Sequence, residues 1–210
     1  FSIIMETHSD IILQELKDSI IKKNEASLVV SGGSSPLTIF KDLNDADIDW
    51  SKVNVTLVDD RFVSNNHHDS NEKLIYENLL INKASNANFI SLCKSPDEVK
   101  KIQRPFDVML LGIGEDGHFA SLFPALISTH PSYFKTNQTC EIIYTDPMGS
   151  PCHKRVSMNL SMILQSKKII LLISNEKKLK LIETASNDVN LPIYYLLNQK
   201  EQKVEIIKTY

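Results

Sequence analysis

One stretch constrains this chain more than any other: Phe106 to Pro124, FDVMLLGIGEDGHFASLFP. It opens with a run, Phe106 to Leu111, that suits a strand buried on both faces. It then breaks into Gly112, Gly114 and Gly117 and sets His118 directly after the last glycine. Phe119 to Phe123 is expected to start a short packed helix that Pro124 stops. In open α/β sheets, ligands bind outside the carboxyl ends of the strands. A buried strand that ends in a glycine-rich turn and presents one histidine therefore makes His118 the candidate centre of a site.

Glycine usage sharpens this. The 210 residues hold 6 glycines, and five of them fall in two places, Gly32–Gly33 and Gly112, Gly114, Gly117. Glycine is needed where φ is positive or where backbone must approach a ligand closely. The first cluster follows the apolar strand Ala26 to Val30 and reads SGGSSP over 31–36. Ser35 suits an N-cap and Pro36 a first helical position, with Leu37, Ile39, Phe40 and Leu43 continuing the helix. Strand, glycine loop and helix start can offer backbone N–H groups to an anion, or can simply be a tight capped turn.

The rest of the chain keeps the same alternation. Helical spacing marks Ser9 to Lys23 (Ile11, Ile12, Leu16, Ile20), the segment from Asn71 to Leu80, Asn159 to Gln165, Glu176 to Ser186 and Pro192 to Leu197. Strands are expected at Val53 to Val58, Phe89 to Leu92, Cys140 to Tyr144, Lys168 to Ile173 and Val204 to Ile207. Strands alternating with helices point to an α/β protein, a mostly parallel sheet with helices on both faces. The length fits one domain over 1–210.

Composition narrows the function classes. A net charge of -3 argues against nucleic acid as the main partner. No apolar run approaches the ~20 residues of a membrane helix, and no basic-then-apolar signal segment opens the sequence. Cys93, Cys140 and Cys152 are widely spaced, which fits free thiols and a cytoplasmic location. His67 and His68 are read as part of a polar surface loop, without an acid or cysteine at ligand spacing, so no metal is expected. The sequence sets no oligomeric state, and a monomer is compatible with it.

Gly112 to Gly117 matches G-x-G-x-x-G, but its variable positions include Glu115 and Asp116, which would repel a pyrophosphate. The acid expected about 20 residues on is missing; Pro131, Ser132 and Tyr133 stand there. A dinucleotide site is not supported. If the strands' carboxyl ends share one face, Ser34, Ser35, Asp60, Arg61, Asp116, His118 and Arg155 converge there. Serine N–H groups and arginine forks suit a phosphate, and a histidine suits a general base, with Asp116 orienting it. His153, Lys154 and Arg155 taken alone read as a solvated cationic group.

The set SGGSSP (31–36), DDR (59–61) with SN (70–71), and GIGEDGHFASLFP (112–124) resembles the 6-phosphogluconolactonases, over nearly the whole chain and in the same order. Sister sugar-phosphate deaminases look alike through the Gly-His pair but then diverge, and carry a tyrosine where this chain has Arg61. The resemblance implies a three-layer α/β/α Rossmann-like fold and cofactor-free hydrolysis of a sugar-phosphate lactone. It implies His118 as the base that activates water, with Asp116 beside it. Gly32, Gly33, Ser34, Ser35, Arg61, Asn71, Gly114, Gly117 and Arg155 would then line the phosphate and substrate face. Arg155 matches the arginine of the family's PPxxRxT segment, which here reads SPCHKRVS. Glu72 stands where the family often has tyrosine.

Overall fold

The computed structural model describes residues 7–210. Six strands form one parallel sheet: β1 (Ala26–Val30), β2 (Val53–Leu57), β4 (Asn88–Phe89), β5 (Phe106–Leu111), β8 (Ser166–Ile173) and β9 (Val204–Lys208). Their order is β4-β2-β1-β5-β8-β9. The chain builds outward from β1 in one direction and from β5 in the other, so β1 and β5 flank the switch point. Parallel crossovers are right-handed. Reversing their direction at the switch point places helices on both faces of the sheet.

Burial explains why these residues become strands. All five residues of β1 and all six of β5 are buried, as expected for strands covered on both faces. Helix α1 (His8–Lys23) packs on both and against α2 (Leu37–Leu43). Thr7 and Asp10 form its capping box, and Ile12 and Leu16 enter the core. Further helices are α3 (Asn71–Asn78), α4 (Pro96–Lys101), α5 (Pro124–Thr129), α6 (Leu160–Leu164), α7 (Glu176–Ala185) and α8 (Pro192–Asn198). No helix among the described residues is long and apolar enough to cross a membrane.

A second sheet departs from the sequence reading. Strands β3 (Asp59–Arg61), β7 (Arg155–Met158) and β6 (Ile142–Tyr144) form an antiparallel sheet in the order β3-β7-β6. The Asp-Asp-Arg run is thus a strand, and Arg155 is a buried strand residue, 4% exposed, rather than part of a solvated cationic group. Residues 96–101, for which the sequence reading placed no element, form α4 behind a proline at its first turn.

The segment after His118 also differs. Ala120 takes φ 48°, a left-handed conformation that stops a helix from starting there. Phe123 is extended and Pro124 opens α5 instead of ending a helix. In the first glycine loop, Pro36 occupies the cap position and no side chain caps α2. The Ser35 hydroxyl is therefore not used as a cap.

Candidate active site

Both glycine loops leave the carboxyl ends of β1 and β5, side by side at the switch point. They wall a polar cleft of about 230 Å³, lined by Gly32 to Ser35, Arg61, Asn71, Gly112 to Gly114, His118 and Arg155, together with Ser31, Asp59, Ala120 and Lys178. The parallel topology brings the two glycine loops together, and the antiparallel sheet adds Asp59, Arg61 and Arg155 to the same place.

His118 and Asp116 form the most defined pair. His118 Nδ1 lies 2.5 Å from Asp116 Oδ1, and the His118 N–H donates to the same oxygen at 3.2 Å. The carboxylate fixes Nδ1 as the protonated nitrogen, which leaves Nε2 with a free lone pair. Burial alone would raise the Asp116 pKa. The hydrogen bonds and charge of His118 outweigh it and hold the carboxyl below its ordinary range. The loop is closed by Gly114 N–H donating to the His118 carbonyl at 2.8 Å and Gly117 N–H donating to the Gly114 carbonyl at 3.0 Å. The imidazole stacks on Phe123 with ring centroids 4.5 Å apart.

A side chain at Gly114 would collide with the His118 ring, at both Cε1 and Nδ1. Gly114→Ala should therefore displace the imidazole without unfolding the chain, because φ there is not left-handed. A displacement of about 1 Å costs roughly 10²-fold in rate. Turnover of the variant beside its melting temperature checks this; unchanged turnover would mean that the ring position does not matter. Gly117, which the resemblance puts on the substrate face, turns the chain just before His118. It does not line the cleft. Its φ of 79° and the Leu191 side chain, 3.2 Å from where a Cβ would stand, give it a structural role.

The cationic wall comes from the second sheet. Arg61 and Arg155 are register partners across β3 and β7. Like charges directly opposite are destabilising, so this pairing calls for negative charge between them. Burial and the Arg61 charge both lower the Arg155 pKa, while Asp59 and Asp60 offset them. Arg61 Nη1 donates to the Asp69 carbonyl at 2.7 Å, and Arg155 Nη2 donates to the Pro151 carbonyl at 2.6 Å. Three buried side-chain polar atoms among the described residues have no hydrogen-bond partner: Ser31 Oγ, Arg61 Nε and Arg155 Nε. All three residues line this cleft.

The two acids of the Asp-Asp-Arg run divide their work. Asp59 lines the cleft and accepts the Ser121 hydroxyl at 2.7 Å, tying the His118 loop to β3. Asp60 instead accepts the N–H groups of Arg61, Asn71 and Glu72, which fixes the start of α3. It belongs to the frame rather than to the cleft. Burial pushes its pKa up to about 6 against those three hydrogen bonds. Because the folded value lies above the unfolded one, its contribution to stability is present at low pH and declines as pH rises through about 4 to 6. A carboxyl-carbon NMR titration should place the Asp60 midpoint near 6; a midpoint below the ordinary carboxylate range would mean that the three N–H bonds prevail.

Ser31, Asp59 and Lys178 escaped the sequence reading. Lys178 sits in the first turns of α7, its Nζ donates to Ser174 Oγ at 3.1 Å, and burial lowers its pKa. The only hint was its position just after the carboxyl end of β8, inside a charged run that reads as an exposed helix face.

A parallel sheet with a cationic, glycine-walled cleft at its switch point defines an α/β enzyme for a small anionic molecule. Comparison makes this specific. Residues 3–206 match the family described as "Glucosamine-6-phosphate isomerases/6-phosphogluconolactonase". The chain is 35% identical over 207 residues to a 6-phosphogluconolactonase of Neisseria meningitidis, covering 91% of this chain and 88% of that protein. It is 30% identical over 220 residues to one from Rhizobium meliloti, covering 98% and 94%. The crystal structure of a 6-phosphogluconolactonase from Shewanella baltica superposes with a TM-score of 0.86 at 35% identity, covering 95% of this chain and 90% of that one. The chain belongs to the glucosamine-6-phosphate isomerase/6-phosphogluconolactonase family.

Proposed function

We propose that this protein hydrolyses 6-phospho-D-glucono-1,5-lactone to 6-phosphogluconate, the lactone step of the oxidative pentose phosphate pathway, by general-base activation of water. One observation carries the reading: a histidine oriented by a carboxylate shares a cleft with two arginines and a serine whose buried polar atoms lack partners. The names of the relatives support the same reaction.

In this reading the phosphate lies against Arg61, Arg155 and Lys178 and takes N–H groups from the Gly32 to Ser35 loop. His118 Nε2 takes a proton from water, and the hydroxide adds to the C1 carbonyl carbon. Asp116 steadies the resulting imidazolium. The tetrahedral intermediate then collapses, the C1–ring oxygen bond breaks, and His118 returns the proton to the departing oxygen. The reaction needs no cofactor. One hydrophobic core through the described residues supports a single domain, and three free thiols fit a cytoplasmic enzyme.

The test is hydrolysis of freshly generated lactone coupled to 6-phosphogluconate dehydrogenase. Turnover no faster than the spontaneous background would remove the reading, and ammonia release from glucosamine 6-phosphate would then point to the deaminase branch. Arg61→Ala should mainly raise KM, because the phosphate is held alike in ground and transition states. A charge-assisted hydrogen bond of about 1.5–3 kcal/mol corresponds to roughly 10- to 100-fold in KM. A large fall in kcat at unchanged KM would contradict this role.

A further inference from the structure

We propose that His67, His68 and Asp69 form a binding site for a zinc-class divalent cation, with His153 as the group that orients the carboxylate. The site is separate from the cleft and does not depend on the proposed reaction. The sequence reading took the histidine pair for a plain surface loop and passed over the acid next to it, Asp69; folding adds a further histidine, His153.

The three residues each present a donor atom, and these atoms all lie within 4.8 Å of one another. His67 Nδ1 is 3.8 Å and His68 Nε2 3.5 Å from Asp69 Oδ2. Zinc bonds of 2.0–2.1 Å in tetrahedral geometry place donors about 3.4 Å apart, so binding closes the cluster by up to about 1.4 Å and turns one imidazole about its side-chain torsions. The two adjacent imidazoles stack at 4.3 Å with their planes 24° apart, so they are neighbours, and one ring must rotate before both lone pairs meet at one cation. The Asp69 N–H donates to His67 Nδ1 at 3.1 Å, so that nitrogen is already in the deprotonated form a metal requires. A bound cation would displace that single hydrogen bond. Two imidazoles and a carboxylate suit zinc, copper or nickel rather than calcium or magnesium.

His153 arrives from the loop between β6 and β7. Its Nε2 lies 2.8 Å from Asp69 Oδ2, and its ring packs edge-on against His67 with centroids 5.4 Å apart. A ligating carboxylate held by an outer hydrogen bond is the usual arrangement around such metals. The same contact holds the Asp69 carboxyl below its ordinary range. Three protein donors leave further coordination positions for water, as in open zinc sites. The cation would sit within the loop after β3, and the His153–Asp69 contact would tie it to the loop before β7.

Titration with Zn²⁺ against a weak chromogenic chelator, and with Co²⁺ followed by its visible spectrum, tests this on the intact chain. His68→Ala is the informative variant, because its side chain is 80% exposed and packs on the His67 ring rather than on the core. Wild type should retain one Zn²⁺ per chain and show the intense visible bands of four- or five-coordinate Co²⁺. His68→Ala should lose both. His153→Ala should bind roughly 10- to 100-fold more weakly, the usual effect of removing an outer-shell partner. Wild type that retains no Zn²⁺, or a His68→Ala chain that binds as well as wild type, would overturn the proposal.

Discussion

Replacing His118 with alanine should lower kcat for lactone hydrolysis by about 10²- to 10⁴-fold, the usual share of a general base. KM should change little, because in the proposed reading the phosphate lies against Arg61, Arg155 and Lys178 rather than the imidazole. The melting temperature should stay within a few degrees. The side chain is part-exposed and its partner Asp116 is half-exposed, so truncation leaves no buried unpaired charge. Asp116→Asn should separate orientation from basicity. It removes the charge that fixes Nδ1 as the donor, so it should cost kcat while KM holds. Measurement of kcat and KM for both variants beside circular dichroism decides the matter. A His118→Ala enzyme with wild-type turnover would make the histidine a structural loop residue and leave the cleft without a base.

How legible all this was in the sequence depended on the length and polarity of each segment. The runs at 26–30 and 169–173 are apolar except for Ser27, and burial on both faces of a parallel sheet demands that pattern. The carboxyl ends of β1 and β5 were marked by glycine, so the two loops of the cleft could be read directly. The second sheet could not. Its strands hold three or four residues, and β3 consists of two acids and an arginine. Such a segment becomes a strand only because β7, far away in sequence, supplies hydrogen-bond partners. For the same reason the cationic trio taken alone read as solvated, and only the resemblance put Arg155, the register partner of Arg61, on the substrate face. The histidine cluster was split between two loops, and Lys178 was hidden in a charged helix face. Local pattern reports burial along one element, whereas these features depend on pairing between elements.

Asp107 is the opposite case, a charged residue concealed inside what reads as an apolar run, and its replacement should have the largest effect on stability. It sits at the start of β5 and is fully buried. Lys167 donates to it at 2.7 Å, Ser19 at 2.5 Å and the Ser27 N–H at 2.8 Å, with Lys23 at 3.1 Å. One carboxylate therefore ties α1, β1, β5 and β8 together at the amino end of the sheet. Burial alone would push its pKa up; the hydrogen bonds from Lys167, Ser19, Ser27 and Lys23 outweigh this and hold it below the ordinary range. Breaking a buried ion pair by removing one partner costs about 3–5 kcal/mol. Lys23 and Lys167 remain 20% and 34% exposed and can turn to water, which favours the lower end, about 3 kcal/mol. For a chain of this size that lowers the melting temperature of Asp107→Ala by roughly 6–12 °C. The lowered folded pKa means that the contribution is present at neutral pH and is lost as pH falls through the folded value. The difference between variant and wild type should accordingly shrink in acid. Turnover of the folded variant should be unchanged, since Asp107 and Gly112 lie at opposite ends of β5, about 16 Å apart at 3.3 Å per residue. A melting temperature within about 2 °C of wild type, roughly 0.5–1 kcal/mol at most, would show the carboxylate to be a tolerated charge, and the amino end of the sheet would then be held by apolar packing alone.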